Sequence, residues 1–237
     1  MKKYTCFLIV IFILTGCNSC DYSSTKSELS SDMSLPEEIS IAAFYEQLPD
    51  TGLPLTSDEM DGKVFTPVPL AVKESLSPYD RADSDIYARK LPEKGNERIW
   101  ILLYKDGRAN PVLVMNTFTT EMQMQDRLLL GSTESVEGTT AEIRRSFRIS
   151  ADYIITVYKY LENTLIEQLA YRIDENGFFS EIRDGRTPVI AFETFDDIHY
   201  IVESFVWDYR QGGGLYKKNL LRRTFRINPD NTVIQTE

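Results

Sequence analysis

From Ile86 onward the chain is a succession of short aliphatic and aromatic runs divided by polar turns. The runs are Ile99 to Tyr104, Val112 to Phe118, Met124 to Leu130, Ile143 to Ile149, Tyr153 to Tyr160, Leu165 to Ile173, Ile201 to Tyr209, Tyr216 to Ile227 and Thr232 to Thr236. Lys105-Asp106-Gly107, Glu162-Asn163-Thr164 and Gly212-Gly213-Gly214 supply turn chemistry between them. Strands at this spacing with short polar connections predict an antiparallel meander. No helical run of about ten residues separates any two of them, which excludes a parallel α/β sheet. The expected fold class is mainly β: a curved sheet, a sandwich or a partial propeller.

Three pieces of the pattern repeat. FRISAD from Phe147, YRIDEN from Tyr171 and FRINPD from Phe225 each place an aromatic, Arg and Ile before small polar residues. Alternation puts the aromatic and Ile on one side of a strand and Arg on the other. Gly177 and Asn231 fall where a left-handed turn residue is wanted. These motifs therefore predict strand ends, with Phe147, Tyr171 and Phe225 and with Ile149, Ile173 and Ile227 buried, Arg148, Arg172 and Arg226 facing water, and the Asp or Asn in the turn. Tyr153–Glu181 and Tyr200–Gln235 also align as two strand–strand–short-strand units.

Before the strands, Ser34-Leu35-Pro36-Glu37 fits a capping box. Ile39, Ala42 and Ala43 follow on one helical face, and Pro49 ends the run. One short helix is expected here. From Thr51 to Pro78, the prolines at 54, 67, 69 and 78 favour extended segments and turns over helices.

The N-terminus bears on location. Lys2 and Lys3 precede the apolar run Cys6 to Leu14, whose nine residues fall well short of the roughly 20 needed to span a bilayer. This is the pattern of a signal peptide. Leu14-Thr15-Gly16-Cys17 resembles the lipobox of bacterial lipoproteins. That resemblance implies cleavage before Cys17 and lipid on its thiol and new amine, with an ordinary signal peptide and an incidental Cys as the alternative. The expected organisation is a signal peptide over 1–16, a lipidated Cys17 with a Ser-rich tether over 17–34, and one β-rich domain over 35–237. Cys17-Asn18-Ser19-Cys20 has the spacing of a redox motif, but a lipidated Cys17 cannot serve it and no βαβ pattern follows.

A formal net charge of −10 argues against nucleic acid as a partner, because phosphate binding needs a basic footprint. It also argues that lipid on Cys17, rather than the protein surface, holds the chain to an anionic membrane.

Candidate chemistry is sparse. His199, the single histidine, stands beside Asp196 and Asp197 in what reads as a turn into a strand. Asp80, Asp83 and Asp85 cluster without the Gly that a calcium loop needs. Gly212-Gly213-Gly214 lacks the Lys-Ser/Thr and helix of a phosphate loop. Glycoside hydrolysis would require two converging carboxylates, which spacing cannot select from 36 acids. Phe205, Trp207 and Tyr209 share one strand face: buried they are core, exposed they form a platform for a glycan or a protein partner. No cofactor and no metal is expected.

The lipobox, the Ser-rich tether, LPDTGLPL from Leu48, YARKLP followed by IWILLY, and the FRISADYIITV and YRIDENGFF pieces resemble surface lipoproteins of Bacteroidota. The resemblance implies a cell-envelope location, on the outer membrane in preference to the inner, and a β-rich domain. It transfers no catalytic residues. The expected role is a non-catalytic binding or structural module. The alternatives are an accessory glycan binder and a carboxylate-dependent glycoside hydrolase.

Overall fold

Fourteen strands follow one another in a single open, antiparallel array; the computed structural model describes residues 39–76, 85–105, 110–136, 140–194 and 198–236. Strand makes up 59% and helix 10%, as the alternating runs predict. The main path is built from β2 (Thr66–Pro67), β3 (Asp85–Lys94), β4 (Glu97–Lys105), β5 (Val112–Phe118), β6 (Met124–Ser135), β7 (Glu142–Ile149), β8 (Ile154–Leu161) and β9 (Thr164–Ile173). It continues through β11 (Pro188–Thr194), β12 (His199–Tyr209), β13 (Leu215–Ile227) and β14 (Val233–Gln235). β1 (Leu55–Thr56) pairs with β7, and β10 (Phe179–Glu181) pairs with β9.

The strand that organises the array is β6. Its first part pairs with β5, and its last residues, Ser132 to Ser135, pair with β7. At the handover the β5 register skips Leu130, a bulge that sharpens the local bend. Gly131 follows, with Leu113 on one side and the Arg145 carbonyl on the other; an added Cβ would already touch the Leu113 side chain at 3.4 Å. Bulge and glycine together let one strand serve two half-sheets.

The two halves then face each other. Leu91, Ile99, Ile101, Met115 and Leu130 from the first pack with Phe147, Ile149, Ile155, Val157 and Ile173 from the second. The opposite face of the first half is covered by α1 (Ile41–Gln47) and α3 (Leu70–Leu76), whose Phe44, Tyr45, Val72 and Leu76 pack around Trp100 and Phe118. A third cluster, with Leu161, Ile166, Tyr200, Val202 and Ile227, joins β8 and β9 to the β12–β13 ribbon.

The helices differ from expectation. The described residues hold three short ones, α2 (Ser57–Asp61) lying between α1 and α3 in sequence. α1 is capped by Ser40, whose side chain accepts from the Ala43 amide at 3.2 Å; the Ser34–Glu37 box lies outside the described residues. Its buried face is Phe44, Tyr45 and Leu48, while Ala43 is exposed. α2 begins with a true capping box, Thr56 with Glu59. Pro69 precedes the first residue of α3, and its one carbonyl accepts from both the Val72 and the Lys73 amide. The prolines thus bracket these helices and do not exclude them, since proline is tolerated before and within a first turn. β11 had no counterpart among the expected strands, and Tyr153 sits in a turn, outside β8.

The repeated motifs are repeated turns. In each, the first residue's amide donates to the carbonyl four residues on, and the fourth residue's amide donates back to the first. The fourth residue is left-handed: Tyr153 at φ 63°, Gly177 at 79° and Asn231 at 64°. Asp174 Oδ1 accepts from the Asn176 and Phe178 amides, and these bonds, Phe178 first, hold its carboxyl below the usual range. Ile149, Ile173 and Ile227 are buried and Arg148, Arg172 and Arg226 are exposed, as expected; of the aromatics only Phe147 is buried, while Tyr171 and Phe225 are half-buried. The same bonds recur at Thr119–Gln123, with Met122 at φ 63°, and at Arg210–Gly214, with Gly213 at φ 92°. β8–β9–β10 and β12–β13–β14 reproduce the two aligned units.

Candidate functional site

Past the β6 handover the half-sheets part, and a cleft of about 500 Å³ opens between them. β7 accounts for one wall. Its edge is shared by two partners: β6 pairs with Glu142 through Arg145, and β1 pairs with Arg148 and Ile149. Ser57, the first residue of α2, closes the interval; the Phe147 amide donates to its Oγ at 2.7 Å. Met60 of α2 is buried in the core between the half-sheets, so the helix is fastened at both ends of its single turn.

The lining divides by chemistry. Tyr87, Leu103 and Leu113 extend the inward face of β3, β4 and β5 to form a half-buried apolar floor, and Phe65 adds to it. Ser57, Ser132, Thr133 and Ser146 contribute hydroxyls. Among the described residues Lys63, Lys105, Arg144 and Arg145 contribute four cations, against one lining carboxylate, Asp58. Arg145 is already engaged: its Nη1 donates to Glu134 Oε1 at 2.6 Å and to Ser132 Oγ at 3.3 Å. Lys63, Lys105 and Arg144 form no ion pair among the described residues. Lys105 Nζ instead lies 5.0 Å from the centre of the Tyr87 ring, and the Arg144 guanidinium 5.6 Å from that of Tyr160. Such contacts hold the side chains without neutralising them. In a chain of net charge −10 this is a local reversal of sign.

The 57–65 segment that roofs the cleft is pinned by Arg89. This residue is 8% exposed. Its Nε donates to Thr51 Oγ1 at 2.6 Å, its Nη2 to the Asp50 carbonyl at 2.9 Å, and its Nη1 to the Val64 carbonyl. Burial pushes its pKa down, and the nearby Asp50 carboxylate partly offsets this.

The residues singled out in the sequence lie elsewhere. Phe205, Trp207 and Tyr209 do share a face of β12, but their exposure is graded. Phe205 is 5% exposed, Trp207 is half-buried and Tyr209 is 64% exposed. Phe205 and Trp207 meet edge to face at 5.1 Å. Trp207 Nε1 donates to Glu181 Oε1 at 3.1 Å, and the Arg183 guanidinium lies 5.3 Å from its ring centre. The same face carries Glu203, 5% exposed, which accepts from Arg222 Nε at 2.6 Å and from Lys217 Nζ. His199 opens β12 opposite Arg226. Asp196, Asp197, Asp80 and Asp83 lie outside the described residues, as does Cys17. Asp85 is the first residue of β3. Gly212, Gly213 and Gly214 form the β12–β13 turn, with φ of 100°, 92° and 105°. Among the described residues, no group of three or more His, Cys, Asp or Glu is placed to hold a metal.

The cleft residues come from six separated stretches of chain, so no spacing signal announced them. The one local hint was Thr56-Ser57-Asp58-Glu59, a helix-start signal that seats Ser57. No family model matches the chain, and no curated protein or solved structure matches it.

Proposed function

We propose that the chain is a lipid-anchored cell-envelope protein whose β-rich domain is a non-catalytic binding module, with the cleft between the half-sheets as its binding site. The anchor rests on the Lys2-Lys3 start, the apolar run and Leu14-Thr15-Gly16-Cys17. The observation that carries the binding role is the cleft itself. Its volume of about 500 Å³ falls within the range of small-molecule sites, and a few polar groups converge on an apolar floor. Among the described residues the lining contributes one carboxylate, Asp58, whereas hydrolysis of a glycosidic bond calls for two, which favours the binding role.

The test is a ligand-observed NMR screen of a diverse small-molecule library against the wild-type protein and Thr133→Trp. Thr133 is half-buried on the cleft wall, so the indole fills the opening. Binders that lose contact with Thr133→Trp establish the cleft as the site. If every binder is indifferent to that substitution, the reading fails.

A further inference from the structure

We infer that the cleft selects hydroxylated organic anions of one or two rings, with the carboxylate or phosphate held by Lys63, Lys105 and Arg144 and the ring body lying over Tyr87, Leu103 and Leu113. The inference rests on the cleft being the binding site and adds the class of ligand. Three cations that line one opening and have no carboxylate partner among the described residues leave charge to be satisfied by whatever enters. Arg145 is excluded from that role by its bond to Glu134. A bound anion gains charge-assisted hydrogen bonds, which are roughly twice as strong as neutral ones. The cations are also partly preorganised, Lys105 by Tyr87 and Arg144 by Tyr160, so less side-chain freedom is lost on binding.

The remaining lining defines the body of the ligand. Thr133 and Ser146 offer hydroxyls at the wall, the Ser132 hydroxyl being engaged with Glu134 and Arg145, while Leu103, Leu113 and Tyr87 form the floor. A ligand with hydroxyls on its edges and C–H groups on its faces satisfies both. A simple inorganic anion would leave the floor unused, and a purely apolar ligand would bury the cations. The net charge of −10 sharpens the choice, because the chain as a whole repels an anion while the cations of the cleft attract it.

The test is titration calorimetry on the mature full-length protein with glucuronate, glucose 6-phosphate, glucose and inorganic phosphate. Glucuronate or glucose 6-phosphate should bind, and the two together separate carboxylate from phosphate as the preferred group. Glucose and inorganic phosphate should bind at least tenfold more weakly. Lys105→Glu and Arg144→Glu should each weaken the anion by about tenfold or more, the scale of one hydrogen bond to a charged group. Arg223→Glu, an exposed cation on β13, should leave affinity unchanged. Both cleft cations are exposed, so the variants should fold, and melting curves are to be run beside the titrations to check it. Raising ionic strength from about 0.01 M to 1 M, which shortens the screening length from ~30 Å to ~3 Å, should weaken binding. Glucose that binds as tightly as glucuronate, and is lost in Thr133→Trp, refutes anion selectivity and keeps the cleft as the site. Anions that bind Thr133→Trp as well as wild type refute the cleft itself. Absence of binding by glucuronate and glucose 6-phosphate alike overturns the inference.

Discussion

The Thr117 hydroxyl donates to the Gly177 carbonyl at 2.6 Å, joining β5 to the turn beyond β9 across 60 residues of sequence. It is one of several bonds by which that turn reaches the first half-sheet. Gln125 Nε2 donates to the Asn176 carbonyl, the Phe179 amide to Asp126 Oδ2, and Lys94 Nζ to the Ile173 carbonyl. Thr117 is fully buried, so Thr117→Val leaves the Gly177 carbonyl without this donor in a dry setting. The expected loss is about 1–3 kcal/mol in urea unfolding. Gly177→Ala should cost as much or more, because φ is 79° and the new methyl would meet the Gln125 carboxamide and the Glu97 carboxylate.

Glu203 gives the second half-sheet a defined acid limit. The hydrogen bond from Lys217 holds its carboxyl below the usual value; burial opposes the shift, and Arg222 adds to it. A depressed folded-state value means the cluster stabilises the protein above the unfolded value of about 4.3 and loses that contribution as pH falls through the depressed one. Glu203→Gln should lower stability near pH 7 by about 1–2 kcal/mol, a modest figure because both cations it releases can reach water. Urea unfolding near pH 3 should show a smaller gap between the two proteins.

Arg89→Lys should loosen the roof of the cleft. One ammonium cannot reach Thr51, Asp50 and Val64 in the three directions that the guanidinium fork reaches. Global stability should fall by about 1–3 kcal/mol. Amide hydrogen exchange over 57–65 should rise, with the β8–β9 hairpin unaffected at low denaturant.

Cys17→Ala should abolish incorporation of labelled palmitate and move the protein from the membrane to the aqueous fraction. Retention at the membrane without Cys17 would remove the basis for the anchor, because it would place the membrane affinity in the protein surface, which a net charge of −10 argues against.

Trp207→Ala should leave retention on immobilised polysaccharide unchanged and lower stability by about 1–2 kcal/mol. The ring edge is occupied by Phe205 and the indole N–H by Glu181, so only Tyr209 of that face projects fully into solvent. A loss of retention without a loss of stability would assign the face to glycan binding.

What the sequence made legible was local. Alternation identified the strands, and the turn chemistry of Ser150, Asp174 and Asn228 identified three loops of one kind. The same loop at Thr119–Gln123 escaped notice because its left-handed position is held by Met122, which carries none of the usual turn signal. α2 had a readable cap in Thr56 and Glu59, but the surrounding prolines pointed the other way. The cleft was illegible for a different reason. Arg144 and Arg145 read as alternating strand residues, and nothing near them in sequence shows that β6 changes partners at Gly131. That is decided by a bulge at Leu130 and by the approach of Leu113 and Arg145 to the glycine. Both are properties of three strands together.

The order of the strands carries a further consequence. From β2 to β9, and again from β11 to β14, every ladder joins strands adjacent in sequence. A polypeptide emerging N-terminus first from a ribosome or a translocation pore can therefore lay each strand against the one before it. No late strand has to be threaded between two early ones, and most loop-closure costs stay small. Two strands depart from this: β11 pairs with β9 past the intervening β10, and β1 must wait for β7. The first end is blunted by its shortness and by a proline, since β2 is two residues long and includes Pro67; at the other end β14 pairs only with Phe225 to Ile227, and among the described residues the outer edge of β13 over 215–223 is guarded instead by the charges of Lys217, Lys218, Arg222 and Arg223.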